Sequence, residues 1–146
     1  MNNPAIEFIF GLDQVQHIAQ QLVVLLEPYH IIMLEGELGA GKTTLMKALL
    51  HAYGVDELVT SPTFTYLISY NVSGNFSLYH FDLYRIASVE HFLEAGFDEY
   101  LNDKKSKVFI EWPGIIEPLL ASYMKRCAIV LDYYSADERK LSFLIR

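Results

Sequence analysis

The stretch GELGAGKT, residues 36–43, decides the fold of this chain. It matches the phosphate-binding pattern G-x-x-x-x-G-K-[ST] in full. A compact apolar run at residues 30–34 precedes it, and a helical pattern at residues 42–53 follows and ends at Gly54. Because this motif binds phosphate between a strand and a helix, these flanks favour a nucleotide-binding P-loop over an accidental glycine turn.

Each part of this loop has a separate task in holding a nucleotide. The glycines let successive backbone N–H groups point into one concavity, and the following helix adds the positive end of its dipole. Lys42 supplies a mobile cation to the β- and γ-phosphates, and the Thr43 hydroxyl can ligate Mg²⁺. The loop residues predicted to contact the nucleotide are Glu37, Leu38, Gly39, Ala40, Gly41, Lys42, Thr43 and Thr44.

A second strand-like run, at residues 108–110, ends in Glu111. P-loop proteins place an acidic residue at the end of such a strand, facing the phosphate loop, so Glu111 is the candidate partner of Thr43 on Mg²⁺. The alternative is a strand-end glutamate in an ordinary salt bridge. Trp112 follows directly, and from these residues alone a tryptophan that caps the core is the favoured interpretation.

Two further polar blocks lie between these elements. The block SPT, residues 61–63, follows Lys42 by about twenty residues, where NTPases often carry a loop that senses the γ-phosphate. Thr63 could reach Mg²⁺ or the attacking water there, although a simple Ser-Pro turn also explains the block. In the block HFDLYR, residues 80–85, Asp82 could position water or metal and Arg85 could contact phosphate. A polar strand end explains this second block as well.

The rest of the chain alternates between strand-like and helix-like segments. Strands are predicted at residues 6–10, 30–34, 63–70, 76–84, 108–110, 127–133 and 141–145. Helices are predicted at residues 12–26, 42–53, 88–101 and 115–124, the third being divisible at Gly96. This order predicts an α/β fold: a P-loop NTPase-like three-layer sandwich with a mixed, mostly parallel sheet and a C-terminal antiparallel hairpin. We expect a single domain over residues 1–146.

Composition and charge narrow the possible partners. The formal net charge is −7, and residues 48–103 hold eight acidic residues against Arg85 alone. Nucleic-acid surfaces need clustered Lys and Arg, so we do not expect strong direct binding of RNA or DNA by this chain alone. The single cysteine, Cys127, lies among apolar residues, which predicts a buried thiol in a reducing compartment. No apolar run approaches the about 20 residues that span a bilayer, so we expect a cytoplasmic protein with no membrane partner.

The motifs also exclude some classes of nucleotide-binding protein. No N-K-x-D guanine reader occurs, and three of the four arginines, Arg126, Arg139 and Arg146, lie in the last 21 residues. Small-molecule kinases clamp the transferring phosphoryl group with several arginines, so their shortage predicts slow hydrolysis completed by a partner. A phosphotransferase acting on a small metabolite and a nucleotide-gated binding module remain the two alternatives.

Four blocks in order, GELGAGKTT at residues 36–44, SPTF at 61–64, HFDLYR at 80–85 and EWP at 111–113, resemble the TsaE (YjeE) family of bacterial ATPases. The resemblance implies an ATPase that serves threonylcarbamoyl-adenosine modification at position 37 of tRNAs reading codons that begin with A. It implies binding to the TsaB–TsaD pair, with ATP hydrolysis supporting repeated cycles of that complex.

The resemblance also implies roles for single residues. The catalytic set would be Lys42, Thr63, Asp82 and Glu111, with Thr43 and Glu111 holding Mg²⁺. Asp82 and its neighbours would serve either catalysis or the partner contact. Trp112 would sit beside the site, and adenine would rest near Phe10 and Gly11. No functional residue is carried over from the C-terminal hairpin that begins at Cys127.

Overall fold

The computed structural model describes residues 6–56, 62 and 65–146, and these contain a seven-stranded sheet. The strand order is β1-β7-β6-β2-β5-β4-β3. The strands are β1 Ile6–Gly11, β2 Ile31–Gly36, β3 Leu67–Ser73, β4 Phe76–Asp82, β5 Ser106–Glu111, β6 Arg126–Tyr133 and β7 Glu138–Ile145.

The sheet is mixed, as predicted. Strands β6, β2, β5 and β4 pair in parallel, whereas β1 with β7, β7 with β6, and β3 with β4 pair antiparallel. Five of the seven described strands therefore run in one direction. The predicted C-terminal hairpin is confirmed, but β7 begins at Glu138 rather than residue 141. Its register pairs Tyr133 with Arg139, because the backbone ladder continues through side chains too polar to reveal a strand by alternation.

Five α-helices connect the described strands: α1 Val15–Leu25, α2 Lys42–Ala52, α3 Val89–Glu94, α4 Asp98–Leu101 and α5 Glu117–Leu120. Gly96, with φ +77°, separates α3 from α4, so the segment 88–101 forms two helices. The helix predicted at residues 115–124 is a single turn, preceded by a 3-10 turn at Pro113–Ile116. Pro118 lies in the first turn of α5, where a helix needs no N–H from it, so it suits the start of this helix after the 3-10 turn. None of the helices in the described ranges is long and apolar enough to cross a membrane.

Helices cover both faces of the sheet and give the three layers that were predicted. On one face, α1 and α2 pack on the sheet and cover the even-numbered side chains of β2, such as Ile32, together with Phe109 of β5. On the other face, Ile31 and Ile110 pack with residues of α3, α4 and α5. Central parallel strands are apolar on both sides for this reason. Cys127 is fully buried as predicted, and burial raises the pKa of its thiol to about 12.

Candidate nucleotide-binding site

The phosphate loop connects the end of β2 to the start of α2 and lies against β6. Gly36 has φ +152°, and a Cβ on it would lie 2.7 Å from the backbone oxygen of Leu131. Gly41 has φ +106° and forms the N-cap of α2. Both positions need glycine, the first for close approach to β6 and the second for its left-handed backbone. The N-terminus of α2 is thereby directed into the concavity of the loop, which favours an anion there.

Lys42 is folded back onto this loop. Its side chain is only 7% exposed, and Nζ donates hydrogen bonds to the backbone oxygens of Gly36 and, at 3.3 Å, of Glu37. Burial lowers the pKa of Lys42, while the negative charges of Glu111 and Asp82 oppose this shift. The loop therefore already holds a partly desolvated cation within reach of two carboxylates.

The two carboxylates come from adjacent parallel strands. Asp82 ends β4, Glu111 ends β5, and the two residues pair directly in the register of these strands. Both side chains are buried, and Oδ1 of Asp82 accepts a hydrogen bond of 3.0 Å from the backbone N–H of Tyr84. The structure thus brings Lys42, Asp82 and Glu111 together at the carboxyl edge of the sheet, where ligands bind in open α/β sheets.

Glu111 has a buried partner that sequence reasoning treated only as a neighbour of Asp82. Nε2 of His80 lies 2.8 Å from Oε2 of Glu111, and both side chains are at most 3% exposed. His80 stands two residues before Asp82 on β4 and therefore on the same face of the strand. The period of two could have indicated this residue, because it places a polar side chain behind the carboxylates inside an otherwise apolar sheet.

Trp112 lies over Lys42 rather than in either core. The Lys42 ammonium is 4.1 Å from the centroid of the indole ring, and the centroids of the Tyr84 and Trp112 rings are 5.1 Å apart. Trp112 is half-buried and has φ +56°, a left-handed conformation that bulky residues rarely adopt. The indole thus stacks on the cation of the loop, and Trp112 belongs to neither apolar core cluster.

A cavity of about 330 Å³ opens on the β1 side of the loop. Phe10 and Gly11 of β1 line it together with Gly39, Ala40 and Thr44. Its position next to the first turn of α2 suits the nucleoside part of a nucleotide whose phosphates occupy the loop. This is where the sequence analysis expected adenine.

The C-terminal hairpin contributes two residues to this cavity region that sequence reasoning missed. Nε of Arg139 donates a hydrogen bond of 3.2 Å to the backbone oxygen of Ala40 in the loop. The guanidinium carbon of Arg139 lies 4.2 Å from the centroid of the Tyr133 ring. No local signal marks either residue, because their proximity to the loop depends on β6 lying next to β2 in the sheet.

The other predicted site residues are either exposed to solvent or lie outside the described residues. Thr43 and Thr44 are exposed in the first turn of α2, and Leu38 is 66% exposed at the tip of the loop. Arg85 is also exposed. Thr63 lies outside the described residues, as do its neighbours at positions 61 and 64.

The donor set fits magnesium bound together with a nucleotide. Within the described residues, no group of three or more His, Cys, Asp or Glu side chains could hold a metal ion unaided. Mg²⁺ is usually held by one or two carboxylates, substrate phosphates and water, so a strand-end carboxylate and a hydroxyl at a phosphate loop suit it. Glu111 and the exposed Thr43 hydroxyl are the candidates for these two ligands.

This loop, in this position within a mixed sheet of this strand order, defines a P-loop protein of the nucleotide-binding type. The structure is similar to the crystal structure of YdiB from Bacillus subtilis, with a TM-score of 0.76 and 30% identity over 99% of this chain and 87% of that chain.

Sequence comparisons narrow this class to one family. The family model described as "Threonylcarbamoyl adenosine biosynthesis protein TsaE" matches residues 11–141. The chain is similar to the tRNA threonylcarbamoyladenosine biosynthesis protein TsaE of Bacillus subtilis, with 36% identity over 90% of this chain and 79% of that protein. The corresponding protein of Rickettsia felis is 41% identical over 74% of this chain and 62% of its own length. The chain belongs to the TsaE family, which confirms the resemblance, and it spans about three fifths of the length of the Rickettsia felis relative.

Proposed function

We propose that this chain is a Mg²⁺-dependent ATPase that supports threonylcarbamoyladenosine modification of tRNA by binding and cycling a TsaB–TsaD pair. The observation that carries the proposal is the buried Lys42 on the phosphate loop, next to Asp82 and Glu111 at the ends of two parallel strands. Membership of the TsaE family supports the connection to tRNA modification, since its relatives carry that activity in their names.

The nucleotide is proposed to lie along the loop from the 330 Å³ cavity toward the carboxylates. Lys42 would exchange its bonds with the loop oxygens for the β- and γ-phosphates, while the N–H groups of the loop and of α2 bind the same anion. Thr43 and Glu111 would hold Mg²⁺, which would supply positive charge to neutralise the phosphates. Asp82, which accepts a hydrogen bond from the backbone of Tyr84, would orient the attacking water.

Slow hydrolysis by the isolated chain follows from the charges around this site. The described residues place two cations on the phosphate loop, Lys42 and Arg139, and the second is already bound to a backbone oxygen of the loop. P-loop enzymes reach high rates when a further arginine stabilises the transferring phosphoryl group, often from a partner protein. We therefore expect the TsaB–TsaD pair to supply missing stabilisation or to order the site.

The proposal is tested by measuring ATP hydrolysis by the purified chain with Mg²⁺, with and without the TsaB–TsaD pair from the same organism. Low turnover that rises when the pair is added is the expected result. Lys42→Ala should abolish nucleotide binding or turnover, because Arg139, the other described cation on the loop, is bound to the backbone oxygen of Ala40 and does not replace the ammonium. Wild-type turnover by that variant would contradict the site, and absence of both stimulation and binding would contradict the proposed partner.

A further inference from the structure

The buried hydrogen bond between His80 and Glu111 is not explained by packing alone. His80 is 1% exposed in the middle of β4, and its Nε2 is 2.8 Å from Oε2 of Glu111. Its other ring nitrogen, Nδ1, is buried and has no hydrogen-bond partner within the described residues. An unpaired buried polar atom costs stability, and an apolar side chain of similar size would avoid that cost. Apolar packing therefore does not account for a histidine at this position, and its hydrogen bond to Glu111 is the remaining interaction.

The register shows how the ring reaches Glu111. Asp82 is the direct neighbour of Glu111 across the parallel pair β4–β5, and Phe109 is the neighbour of His80. His80 thus lies one pleat behind the carboxyl edge of the sheet, and its ring approaches Glu111 from the interior. A carboxylate accepts hydrogen bonds only, so Nε2 carries the proton of this bond. Oε2 is occupied from behind, and among the described residues no interior side chain donates a hydrogen bond to Oε1.

We propose that His80 is a positioning residue that fixes the carboxylate of Glu111 so that Oε1 is presented to the magnesium ion of a bound nucleotide. This inference rests on the proposed Mg²⁺–nucleotide site and assigns a role to a residue outside the phosphate loop. Hydrogen bonds from behind a ligand orient it toward the metal, and their loss typically lowers metal affinity by about 10–100-fold. His80 itself, almost fully buried and bonded to Glu111, acts only through that carboxylate.

The inference is tested through the effect of Mg²⁺ on nucleotide binding, which does not require turnover. The dissociation constant of the non-hydrolysable analogue adenylyl imidodiphosphate is measured by calorimetry in EDTA and in saturating Mg²⁺. The dissociation constant in EDTA divided by that in Mg²⁺ is the ratio that reports how much the metal strengthens binding. His80→Leu should reduce this ratio by about 10-fold or more, as Glu111→Gln should, while affinity in EDTA stays within about two-fold of the wild type.

Two further variants separate positioning from general stability. The amide nitrogen of a glutamine can take the place of Nε2, so His80→Gln should restore most of the ratio, whereas the shorter His80→Asn should not. If His80 acts through Glu111, His80→Leu should cause no additional loss in the Glu111→Gln background. Tyr79→Phe, on the same strand, removes the 2.6 Å hydrogen bond to Asp103 at the other end of the sheet and is the matched control. It should lower stability and leave the ratio unchanged.

The results with these variants show whether His80 positions Glu111 for the metal. A normal ratio in His80→Leu, an additional loss in the Glu111→Gln background, or failure of His80→Gln to restore the ratio would each overturn the inference. If His80→Leu does not fold, the comparison of His80→Gln with His80→Asn decides, and equal ratios in those two variants overturn it. A wild-type ratio of one would remove the metal part of the proposed function, and the inference with it. Nucleotide affinity in EDTA, compared with that of Lys42→Ala, reports on the phosphate loop independently.

Discussion

Replacing Gly36 by alanine tests the close approach of the phosphate loop to β6. The new Cβ would lie 2.7 Å from the backbone oxygen of Leu131, which cannot move without displacing the strand. Such forced contacts cost about 1–3 kcal/mol, and the left-handed φ of +152° adds about 1–2 kcal/mol for a residue with a side chain. We therefore expect Gly36→Ala to lose roughly 2–5 kcal/mol of unfolding free energy.

The assay is urea unfolding followed by circular dichroism, together with the melting temperature. A chain of this size loses about 2–4 °C per kcal/mol, so the expected fall in Tm is roughly 4–20 °C. Gly74→Ala is the matched control, because Gly74 also has a left-handed φ, of +60°, but its added Cβ meets nothing within 4 Å. That variant should lose only about 1–2 kcal/mol, the backbone cost alone. A loss in Gly36→Ala no larger than in Gly74→Ala would refute the packing of the loop on β6.

Three further outcomes follow from the site and the core. Arg139→Ala should weaken nucleotide binding measured by calorimetry, by about 3–10-fold, because it removes a charge-assisted bond to the loop; Lys140→Ala, next to it on β7 and paired with Glu7, should not, and equal effects would remove Arg139 from the site. Asp82→Ala should keep nucleotide affinity but lose the hydrolysis stimulated by the TsaB–TsaD pair, and unchanged stimulation in a turnover assay would return Asp82 to a structural role. Burial raises the pKa of the Cys127 thiol from 9.0 to about 12, so its contribution to stability is complete below pH 9 and is lost as the pH rises toward 12. In urea unfolding, the free energy of unfolding should therefore fall less between pH 8 and pH 10.5 in Cys127→Ala than in the wild type. An equal fall in both would show that the thiol does not contribute.

The sequence predicts the local parts of this protein well, for physical reasons. The loop of residues 36–43, the strand before it and the helix after it are encoded in adjacent residues, because glycine positions, capping and apolar periodicity act over a few residues. Glu111 could be placed at the end of a neighbouring strand because parallel strands end at the same edge. The helix expected at residues 115–124 was too long, since apolar spacing alone does not fix where a helix begins and ends, and Pro118 marks only its first turn.

The remaining site residues depend on which strands become neighbours, and the sequence does not state this. His80 meets Glu111 only because β4 lies beside β5. Arg139 meets the phosphate loop only because β6 inserts between β2 and β7. The left-handed backbone of Trp112, which lays the indole over Lys42, also follows from the tertiary fold rather than from a local signal.

The central position of β2 explains why the motifs describe only half of the site. β2 pairs with β5 on one side and with β6 on the other, so the loop that follows it contacts both neighbours. On the β5 side it meets Glu111, whose chemistry allows few substitutes and therefore appears as a motif. On the β6 side it meets a backbone oxygen of Leu131 and the stacked pair Tyr133 and Arg139. Backbone contacts leave no motif in the contacting strand, so this half of the site becomes visible only when the strands are placed.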